Sequence, residues 1–401
     1  MLDTERWLLP EGMEELLPEQ AEQIEFLRRS ILKLYQRWGY RFVMTPLVEH
    51  LESLQVGTGN DIGQYTFKLI DEMTGRLLGV RADITPQVSR IDAHRMSEDG
   101  PSRLCYAGPV LLTKPRELGG SRNPVQIGAE LYGHSGKESD IEILELMLSS
   151  LERTGLTQIS LDLGHVGIFR GLVSQYNIDE TLEADLFDAL QRKARPEIEE
   201  LLADDESSVA CQSAFVALVG LNGGESTIAE ARVALGDVSA DVDAALTALE
   251  EIYNGLKARC PGVSIHFDLA ELRGYQYHTG AVFAAYVPGY WQAVAQGGRY
   301  DDVGKVFGRA RPATGYSMDL RAICNLLPAF ENDRNHIYAP SKSDGVLERK
   351  IHELRDSGES VVRELPEQSR QTSQQMQQKA QQEGCNRVLV KRDAQWVIES
   401  L

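Results

Sequence analysis

Cysteine is scarce in this sequence, and the five cysteines lie far apart: Cys105, Cys211, Cys260, Cys324 and Cys385. No two of them form a Cys-x-x-Cys pair, and the eight histidines do not cluster. Disulfide frameworks and structural zinc sites need paired or closely spaced ligands. The spacing therefore excludes both kinds of site, predicts no metal or other cofactor, and is typical of a protein in a reducing compartment.

Positive charge is also in short supply. The chain has 60 acidic and 41 basic residues, which gives a net charge of −19. A protein that binds nucleic acid through its phosphates needs concentrated positive potential. A local basic patch would be compatible with this balance, but the overall charge predicts no nucleic-acid partner.

Long apolar runs are missing as well. No stretch approaches the roughly 20 apolar residues that a membrane-spanning helix needs. The first segment, MLDTERWLLPEG, is acidic at its start and lacks the basic and then apolar order of a signal peptide. These features predict a soluble, cytoplasmic protein that does not associate with membranes.

The sequence does contain the composition and periodicity of a globular protein. Of its 401 residues, 42% are apolar and 25% charged, so two or three domains are expected. Apolar residues recur every three or four positions over about Pro18–Trp38 and Asp140–Thr154, which predicts two helices. Arg81–His94 is predicted to be helical too, and it is entered at Thr85 and Pro86 because proline is well tolerated in a first helical turn.

Short runs of apolar, aromatic and β-branched residues predict strands. In the first half these are Tyr40–Thr45, Tyr65–Ile70, Leu77–Val80, Leu104–Leu112 and Val125–Tyr132. Further along they are Val263–Leu269, Thr279–Tyr286 and Trp291–Gln296, with a helix near Met318–Leu327. Mostly antiparallel strands with helices to one side indicate an α+β fold.

Changes in composition divide the chain into domains. Residues 167–257 are rich in Ala, Leu, Glu and Asp with little strand signal, so we interpret them as a helical insertion in a core formed by residues 1–166 and 258–327. Residues 336–401 predict a small α/β domain in the order strand, helix, strand, helix, strand, strand. Its glutamine-rich segment SRQTSQQMQQKAQQEG is compatible with disorder or with a solvated helix, and the flanking strands favour the helix.

Familiar catalytic motifs do not occur. The segment GRYDDVGK (Gly298–Lys305) has five residues between its glycines instead of four, and Val306 stands where a phosphate loop needs Ser or Thr. We predict that it is a turn between a strand and a helix. There is no GxSxG elbow, HExxH or dinucleotide-binding fingerprint, so no catalytic residue is assigned.

Six segments in order do resemble one family. They are TPLVEH, VRADITPQVSR, CYAGPVLLTKPRELGGSRNPVQIGAELYG, ELRGYQYHTGAVF, GGRYDDV and TGYSMDLRA, within residues 45–322. In order and spacing they resemble the motifs of class II aminoacyl-tRNA synthetases, specifically histidyl-tRNA synthetase, over about residues 1–325. The resemblance implies a six-stranded antiparallel sheet flanked by helices, a dimer formed through the first helix and strand, and half-sites for histidine and ATP. It also implies that residues 336–401 are a trimmed anticodon-binding domain.

The resemblance implies that this sequence keeps the amino-acid half-site. It places Asp83 and Thr85 at the ligand's α-amino group, a cation that needs a carboxylate and a hydroxyl acceptor. Gln126 and Glu130 lie four apart on one predicted strand and so share a face. The full set of histidine-binding residues that the resemblance implies is Asp83, Thr85, Gln126, Glu130, Arg273, Tyr275, Tyr277 and His278.

Two alternatives to a histidine site stay open: a polar cluster that needs no ligand, and a site for another small amino acid. The polar groups could satisfy one another across the sheet, but burying so many without a ligand is costly, at roughly 1–3 kcal/mol for each unpaired group. Asp83 is shorter than the glutamate usual in the family, Gln276 replaces an aspartate and His278 replaces a tyrosine. The ligand is therefore expected to be histidine or another small amino acid.

The ATP half-site, by contrast, is expected to be lost. Alignment of the motifs puts Leu112 and Ala322 where the synthetases carry the arginines that stabilise charge on the α-phosphate. Arg321 is one residue off, which on a helix rotates its side chain by about 100°. The alternative is that Arg116 or Lys114 substitutes for the arginine at Leu112.

A synthetase scaffold that keeps an amino-acid pocket and loses its chemistry resembles the ATP phosphoribosyltransferase regulatory subunits. This resemblance implies a non-catalytic partner of a short-form catalytic subunit in the first step of histidine biosynthesis, with histidine as the inhibitory effector. It also implies a self-dimer within a hetero-oligomer. The rival hypotheses are a diverged adenylating or aminoacylating enzyme and an interaction protein with an inactive pocket.

Overall fold

The computed structural model describes residues 7–55, 63–96, 99–116, 119–203, 209–328, 335–342, 344–365, 373–393 and 395–401. The chain divides into two compact units, Met1–Pro328 and Ala329–Leu401. No helix in the described ranges is long and apolar enough to cross a membrane.

The first half of unit 1 alternates helices and strands. Helix α1 buries Ile24, Leu27, Ile31 and Tyr35 along one face, as the periodicity predicts, and it ends before Gly39, whose φ is +82°. The elements are α1 Pro18–Arg37, β1 Arg41–Phe42, β2 Val48–His50, α2 Leu51–Gln55, β3 Phe67–Ile70, β4 Leu77–Val80, α3 Thr85–Arg95, β5 Ser102–Pro109, β6 Val125–Tyr132 and α4 Lys137–Thr154.

The second half of unit 1 begins with a strand, continues through a helical stretch and returns to strands. The elements are β7 Ser160–His165, α5 Val166–Gln175, α6 Glu180–Gln191, α7 Arg195–Leu201, α8 Val209–Gly220, β8 Asn222–Gly223, α9 Ser226–Leu235, α10 Ala240–Arg259, β9 Ser264–Asp268, β10 Ala281–Tyr286, β11 Ala295–Arg299, α11 Val303–Val306, β12 Ala313–Asp319 and α12 Leu320–Leu326. Helix α10 packs against α4, α5 and β7, so the helical stretch shares its hydrophobic core with the sheet. The finer division into a core (1–166 and 258–327) and an insertion (167–257) stays a proposal.

The main sheet has the strand order β1-β5-β6-β12-β11-β10-β7-β9-β8. Within the run β5-β6-β12-β11-β10-β7, each strand is antiparallel to the next. At the two ends of this run, β1 is parallel to β5 and β9 is parallel to β7. Helix α4 packs against β6, β11 and β12, with fully buried side chains such as Leu144. This arrangement confirms the α+β fold class and the antiparallel sheet flanked by helices. A second, smaller sheet, β2-β4-β3, contains the predicted hairpin.

Several predicted boundaries were wrong. Only Arg41–Phe42 of the Tyr40–Thr45 run forms a strand, and the strand predicted at Trp291–Gln296 begins only at Ala295. Strand β7 was missed. The helix predicted from Met318 starts at Leu320 because β12 extends to Asp319. Gly315 lies inside β12, and a glycine within a short run is hard to distinguish from a turn.

Unit 2 contains β13 His336–Ala339, α13 Gly345–Asp356, β14 Ser360–Arg363, α14 Ser373–Gln382, β15 Arg387–Arg392 and β16 Gln395–Ser400. Its sheet order is β14-β13-β15-β16, with β16 antiparallel to β15 and the other pairs parallel. The order of elements is the predicted one. The glutamine-rich segment is helical over α14, and its first residues lie outside the described ranges.

Truncating the core beneath the sheet is expected to destabilise unit 1. Leu144 is 0% exposed, so Leu144→Ala should lower the free energy of unfolding by about 2–5 kcal/mol in urea denaturation of the full chain. Val306 is 61% exposed, and Val306→Ala should change stability by no more than about 0.5 kcal/mol. Equal stabilities for the two variants would contradict this packing.

Candidate amino-acid site

A cavity of about 250 Å³ lies over the middle strands of the main sheet, and we call it the amino-acid cavity. Its floor includes Gly315 on β12, which is paired with Glu130 on β6. A Cβ atom on Gly315 would lie 1.6 Å from Oε2 of Glu130. Only glycine at this position lets the glutamate side chain lie across the neighbouring strand.

Glu130 is the most deeply buried charged residue of this cavity, at 1% exposure. Its Oε1 accepts hydrogen bonds from the Thr85 hydroxyl at 3.0 Å and the Tyr106 hydroxyl at 3.1 Å. Its Oε2 accepts one from the Tyr300 hydroxyl. Burial raises the pKa of Glu130 to about 8, although the three hydroxyl donors act to lower it. Near neutral pH this carboxyl group can therefore hold or release a proton.

Asp83 forms the second acidic position of the cavity. Its Oδ1 accepts hydrogen bonds from the backbone N–H of Thr85 and from Nε2 of Gln126, both at 2.9 Å. The other end of the Gln126 amide accepts the backbone N–H of Ile84 at 2.9 Å. Gln126 thus holds Asp83 in place. Oδ2 of Asp83 lies 3.7 Å from the Arg116 guanidinium.

A loop before β10 closes the other side of the cavity with Arg273, Tyr277 and His278. Tyr277 stacks on Tyr300 with ring centroids 4.9 Å apart, and its buried hydroxyl has no hydrogen-bond partner among the described residues. Burial lowers the pKa of His278 to about 4, so its ring is neutral at physiological pH. The Arg273 guanidinium lies 3.4 Å from the Gln296 side-chain oxygen, at the rim.

Two of the eight predicted binding residues do not line the amino-acid cavity. The Tyr275 hydroxyl donates to Glu183 at 2.6 Å, and its ring packs on Phe169 with centroids 5.1 Å apart, so this side chain points toward α5 and α6. Gln126 is on the predicted face of β6, but it borders the neighbouring cavity. The hydroxyl of Tyr106 occupies the space over Gly128, between Gln126 and Glu130.

Sequence reasoning missed several residues that complete the cavity. Tyr106 and Tyr300 bind the Glu130 carboxyl group, and Gln296 lines the wall. Arg116 and Gln276 line the wall too, although the sequence singled them out only as a substitute ATP-site cation and as a departure from the family. Both tyrosines lie in segments that carry the family resemblance. A signal was therefore present, but pairing them with Glu130 required the strand register.

The neighbouring space, of about 370 Å³, is called the second cavity. Leu112 and Ala322, the positions that the alignment assigns to the ATP half-site, both line it. Arg321, one residue before Ala322, lines it too, and both residues lie in α12. Arg116 borders both cavities.

Metal ligation finds no support in the described part of the chain. No group of three or more His, Cys, Asp or Glu side chains is placed to hold an ion there.

Comparison with known families agrees with this geometry. The family model described as "Histidyl-tRNA synthetase" matches residues 12–323. The chain thus belongs to the class of histidyl-tRNA synthetase-like proteins, in agreement with the sheet and the cavity. A second family model, "ATP phosphoribosyltransferase subunit HisZ C-terminal domain", matches residues 334–399.

Comparison with individual proteins shows which family within this class the chain belongs to. The chain is 51% identical to the ATP phosphoribosyltransferase regulatory subunit of Nitrosococcus oceani over 395 residues, covering 98% of this chain and 97% of that protein. It is 49% identical to the regulatory subunit of Pseudomonas entomophila, covering 99% of each chain. The chain therefore belongs to the family of ATP phosphoribosyltransferase regulatory subunits.

Solved structures show the same fold. A structure titled as an ATP phosphoribosyltransferase regulatory subunit/histidyl-tRNA synthetase from Bacillus halodurans superposes with a TM-score of 0.79 at 25% identity, covering 93% of this chain and 96% of that chain. Histidyl-tRNA synthetase from Nostoc sp. gives a TM-score of 0.78 at 18% identity, covering 98% of this chain and 97% of that chain.

The buried Glu130 carboxyl group is expected to make stability depend on pH. Its pKa is about 8 in the folded state and near 4.5 when unfolded, so the folded state holds a proton that the unfolded state releases between these values. Stability should fall as pH rises through this window. Glu130→Gln cannot lose this proton, so only the wild type should lose stability through Glu130 as the pH rises. The difference obtained by subtracting the wild-type melting temperature from that of Glu130→Gln should therefore increase from pH 5 to pH 9. A difference that does not vary with pH would disprove the raised pKa.

Proposed function

We propose that the amino-acid cavity binds free histidine. The observation that carries this proposal is that the cavity contains two carboxyl groups in different surroundings, Asp83 and the more deeply buried Glu130. Asp83 is suited to the α-amino group, since a carboxylate forms strong hydrogen bonds to a cation. Glu130, a buried carboxyl group whose pKa is raised to about 8, is the group proposed to form a hydrogen bond with the imidazole ring. Arg273, whose guanidinium lies 3.4 Å from the Gln296 side-chain oxygen and 3.5 Å from the Glu271 carboxylate, is the cation proposed for the ligand's carboxylate.

The hydroxyl of Tyr277 supports a ligand over a self-satisfied polar cluster. A buried hydroxyl without a partner costs roughly 1–3 kcal/mol, and a polar ligand in the cavity would remove this cost. Asp83 and Gln126, by contrast, do satisfy each other in part. Gln276 and His278 line the wall where the synthetases carry other residues, so another small amino acid is the alternative ligand.

We further infer that the chain is non-catalytic and acts on a partner. As a regulatory subunit it would activate a short-form ATP phosphoribosyltransferase catalytic subunit, which condenses ATP with phosphoribosyl pyrophosphate, and would make that enzyme sensitive to histidine. A coupling of about 1–3 kcal/mol between the two sites suffices for such control. The names of relatives at about 50% identity over nearly the full length support this role.

Self-association is part of the same proposal. The resemblance implies a dimer through α1 and β1, in a larger assembly with the catalytic subunit. Phe42 on β1 and Met44 just after it are 43% and 83% exposed, which is compatible with a covering partner. We keep the dimer and the cytoplasmic setting as proposals.

A diverged adenylating enzyme is the second candidate, because Arg116 and Arg321 line the second cavity and could face an α-phosphate. Leu112 and Ala322, at the aligned arginine positions, oppose it. Losing one preorganised donor of this kind costs about 10²–10³ in rate.

The wild-type chain should therefore show no histidine-dependent exchange of pyrophosphate into ATP, and measurable exchange would favour the enzyme.

Two neighbouring tyrosines test the site. Tyr277→Phe should weaken histidine binding by about tenfold in isothermal titration calorimetry, because the proposal gives the unpartnered Tyr277 hydroxyl a hydrogen bond to the ligand. Tyr275→Phe removes a hydroxyl that binds Glu183 outside the cavity and should leave histidine affinity unchanged. The reverse order of effects would overturn the assignment of the ligand contacts.

Reconstitution tests the regulatory role. The purified chain alone should form no phosphoribosyl-ATP, whereas adding it to a short-form catalytic subunit should raise that subunit's rate and make it inhibitable by histidine. A chain that makes phosphoribosyl-ATP by itself, or that leaves the catalytic subunit unaffected, would refute the proposal.

A further inference from the structure

Tyr275 belongs to the loop that closes the amino-acid cavity, but its side chain lies outside that cavity, against the helical stretch. Its ring contacts Phe169 on α5 and Phe187 on α6, with centroid distances of 5.1 and 5.6 Å. Its hydroxyl donates to Glu183 on α6 at 2.6 Å. We call residues 271–280 the closing loop. This loop is therefore attached to α5 and α6 by a residue that does not line the cavity.

Arg170 on α5 makes the contact that reaches the main chain of the closing loop. Its Nη2 donates a hydrogen bond to the Tyr275 carbonyl oxygen at 2.7 Å. Its guanidinium carbon also lies 4.8 Å from the centroid of the Tyr275 ring, in a cation–π contact. Hydrogen bonds from charged donors are stronger than those between neutral groups. Because the acceptor is a backbone oxygen, this bond fixes the path of the loop whichever side chain stands at position 275.

The closing loop contains a tight turn, so its cavity side moves with its outer side. The backbone N–H of Tyr275 donates to the Leu272 carbonyl oxygen at 2.8 Å. Those of Tyr277 and His278 both donate to the Gly274 carbonyl oxygen, also at 2.8 Å. Gly274 has a φ of +66°, and a Cβ atom there would lie 2.6 Å from Nδ1 of His278. Since Tyr277 and His278 line the cavity, a displacement of the main chain at Tyr275 would also displace the cavity wall.

We propose that Arg170 is a positioning residue for the amino-acid cavity. It holds the closing loop over the cavity through the main chain at Tyr275, and so sets how tightly the cavity retains its ligand. Arg170 borders a separate groove between α5 and α10 instead of the cavity, so it acts through the loop and not by touching the ligand. The effect on the ligand rests on the proposed histidine function, whereas the attachment of the loop is measurable without a ligand.

The Tyr275 hydroxyl contributes less to this attachment than Arg170 does. It fixes the tip of a side chain whose ring already contacts Phe169 and Phe187. In Tyr275→Phe, the ring and the carbonyl oxygen that Arg170 binds both remain. Arg170 instead binds the backbone two residues before Tyr277. Loss of Arg170 should therefore loosen the closing loop, and loss of the Tyr275 hydroxyl should not.

Hydrogen–deuterium exchange of the full-length chain without histidine tests the attachment. Arg170→Met removes the donor and the charge but keeps an unbranched side chain on α5. We expect residues 271–280 to exchange about tenfold faster than in the wild type, because local opening exposes their backbone N–H groups. Exchange in α4 should stay unchanged, which distinguishes a loosened loop from a destabilised fold. Unchanged exchange in the closing loop would overturn the proposal.

Three further variants separate the contact from general effects of charge. Arg170→Lys keeps a cation that can donate to the carbonyl oxygen, and it should loosen the loop less than Arg170→Met. Arg195→Met makes the same replacement elsewhere in the helical stretch, where the arginine lies 2.9 Å from the Glu199 carboxylate, and it should match the wild type. Tyr275→Phe should also match the wild type. A lysine variant as loose as Arg170→Met, or an equal effect of Arg195→Met, would contradict the role of Arg170.

Calorimetric titration of histidine tests the consequence for the cavity. A loop that is closed for a smaller fraction of the time lowers the apparent affinity by that fraction, so Arg170→Met should weaken histidine binding by about three- to tenfold. A loosened loop with unchanged histidine affinity would refute the link to the cavity. If the wild type binds no histidine, the proposed function fails, while the exchange measurements still decide whether Arg170 holds the closing loop.

Discussion

The buried carboxyl group of Glu130 is the constraint on which the candidate site depends. It lies on β6, over a glycine of β12, and is surrounded by three hydroxyl groups drawn from α3, β5 and the end of β11. Burial raises its pKa to about 8, because the charged form loses its hydration in the interior. A group kept at such a cost is typical of a site that recognises a partner for its proton.

The two cavities share one surface of the sheet but differ in how their polar groups are satisfied. In the amino-acid cavity Asp83 and Gln126 bond each other, and the Tyr277 hydroxyl has no hydrogen-bond partner within the described part of the chain. The second cavity is lined by Leu112 and Ala322, where the alignment expects arginines, and also by Arg116 and Arg321.

Much of the fold could be predicted because the evidence was periodic or local. The face of α1 and the shared face of Gln126 and Glu130 follow from spacings of three to four and of two residues, and the order of elements along the tail from its apolar runs. Element boundaries were harder. The start of α12 was misplaced by two residues, and Tyr275 could not be separated from Tyr277 without knowing that α5 and α6 pack beside the loop.

The most direct test of this account is a titration of histidine into the full chain, alone and in complex with a short-form catalytic subunit. We predict saturable, one-site binding in both cases, together with its loss in Glu130→Ala. If histidine fails to bind the wild type at millimolar concentration, or if Glu130→Ala binds it as tightly as the wild type, the cavity is not the effector site.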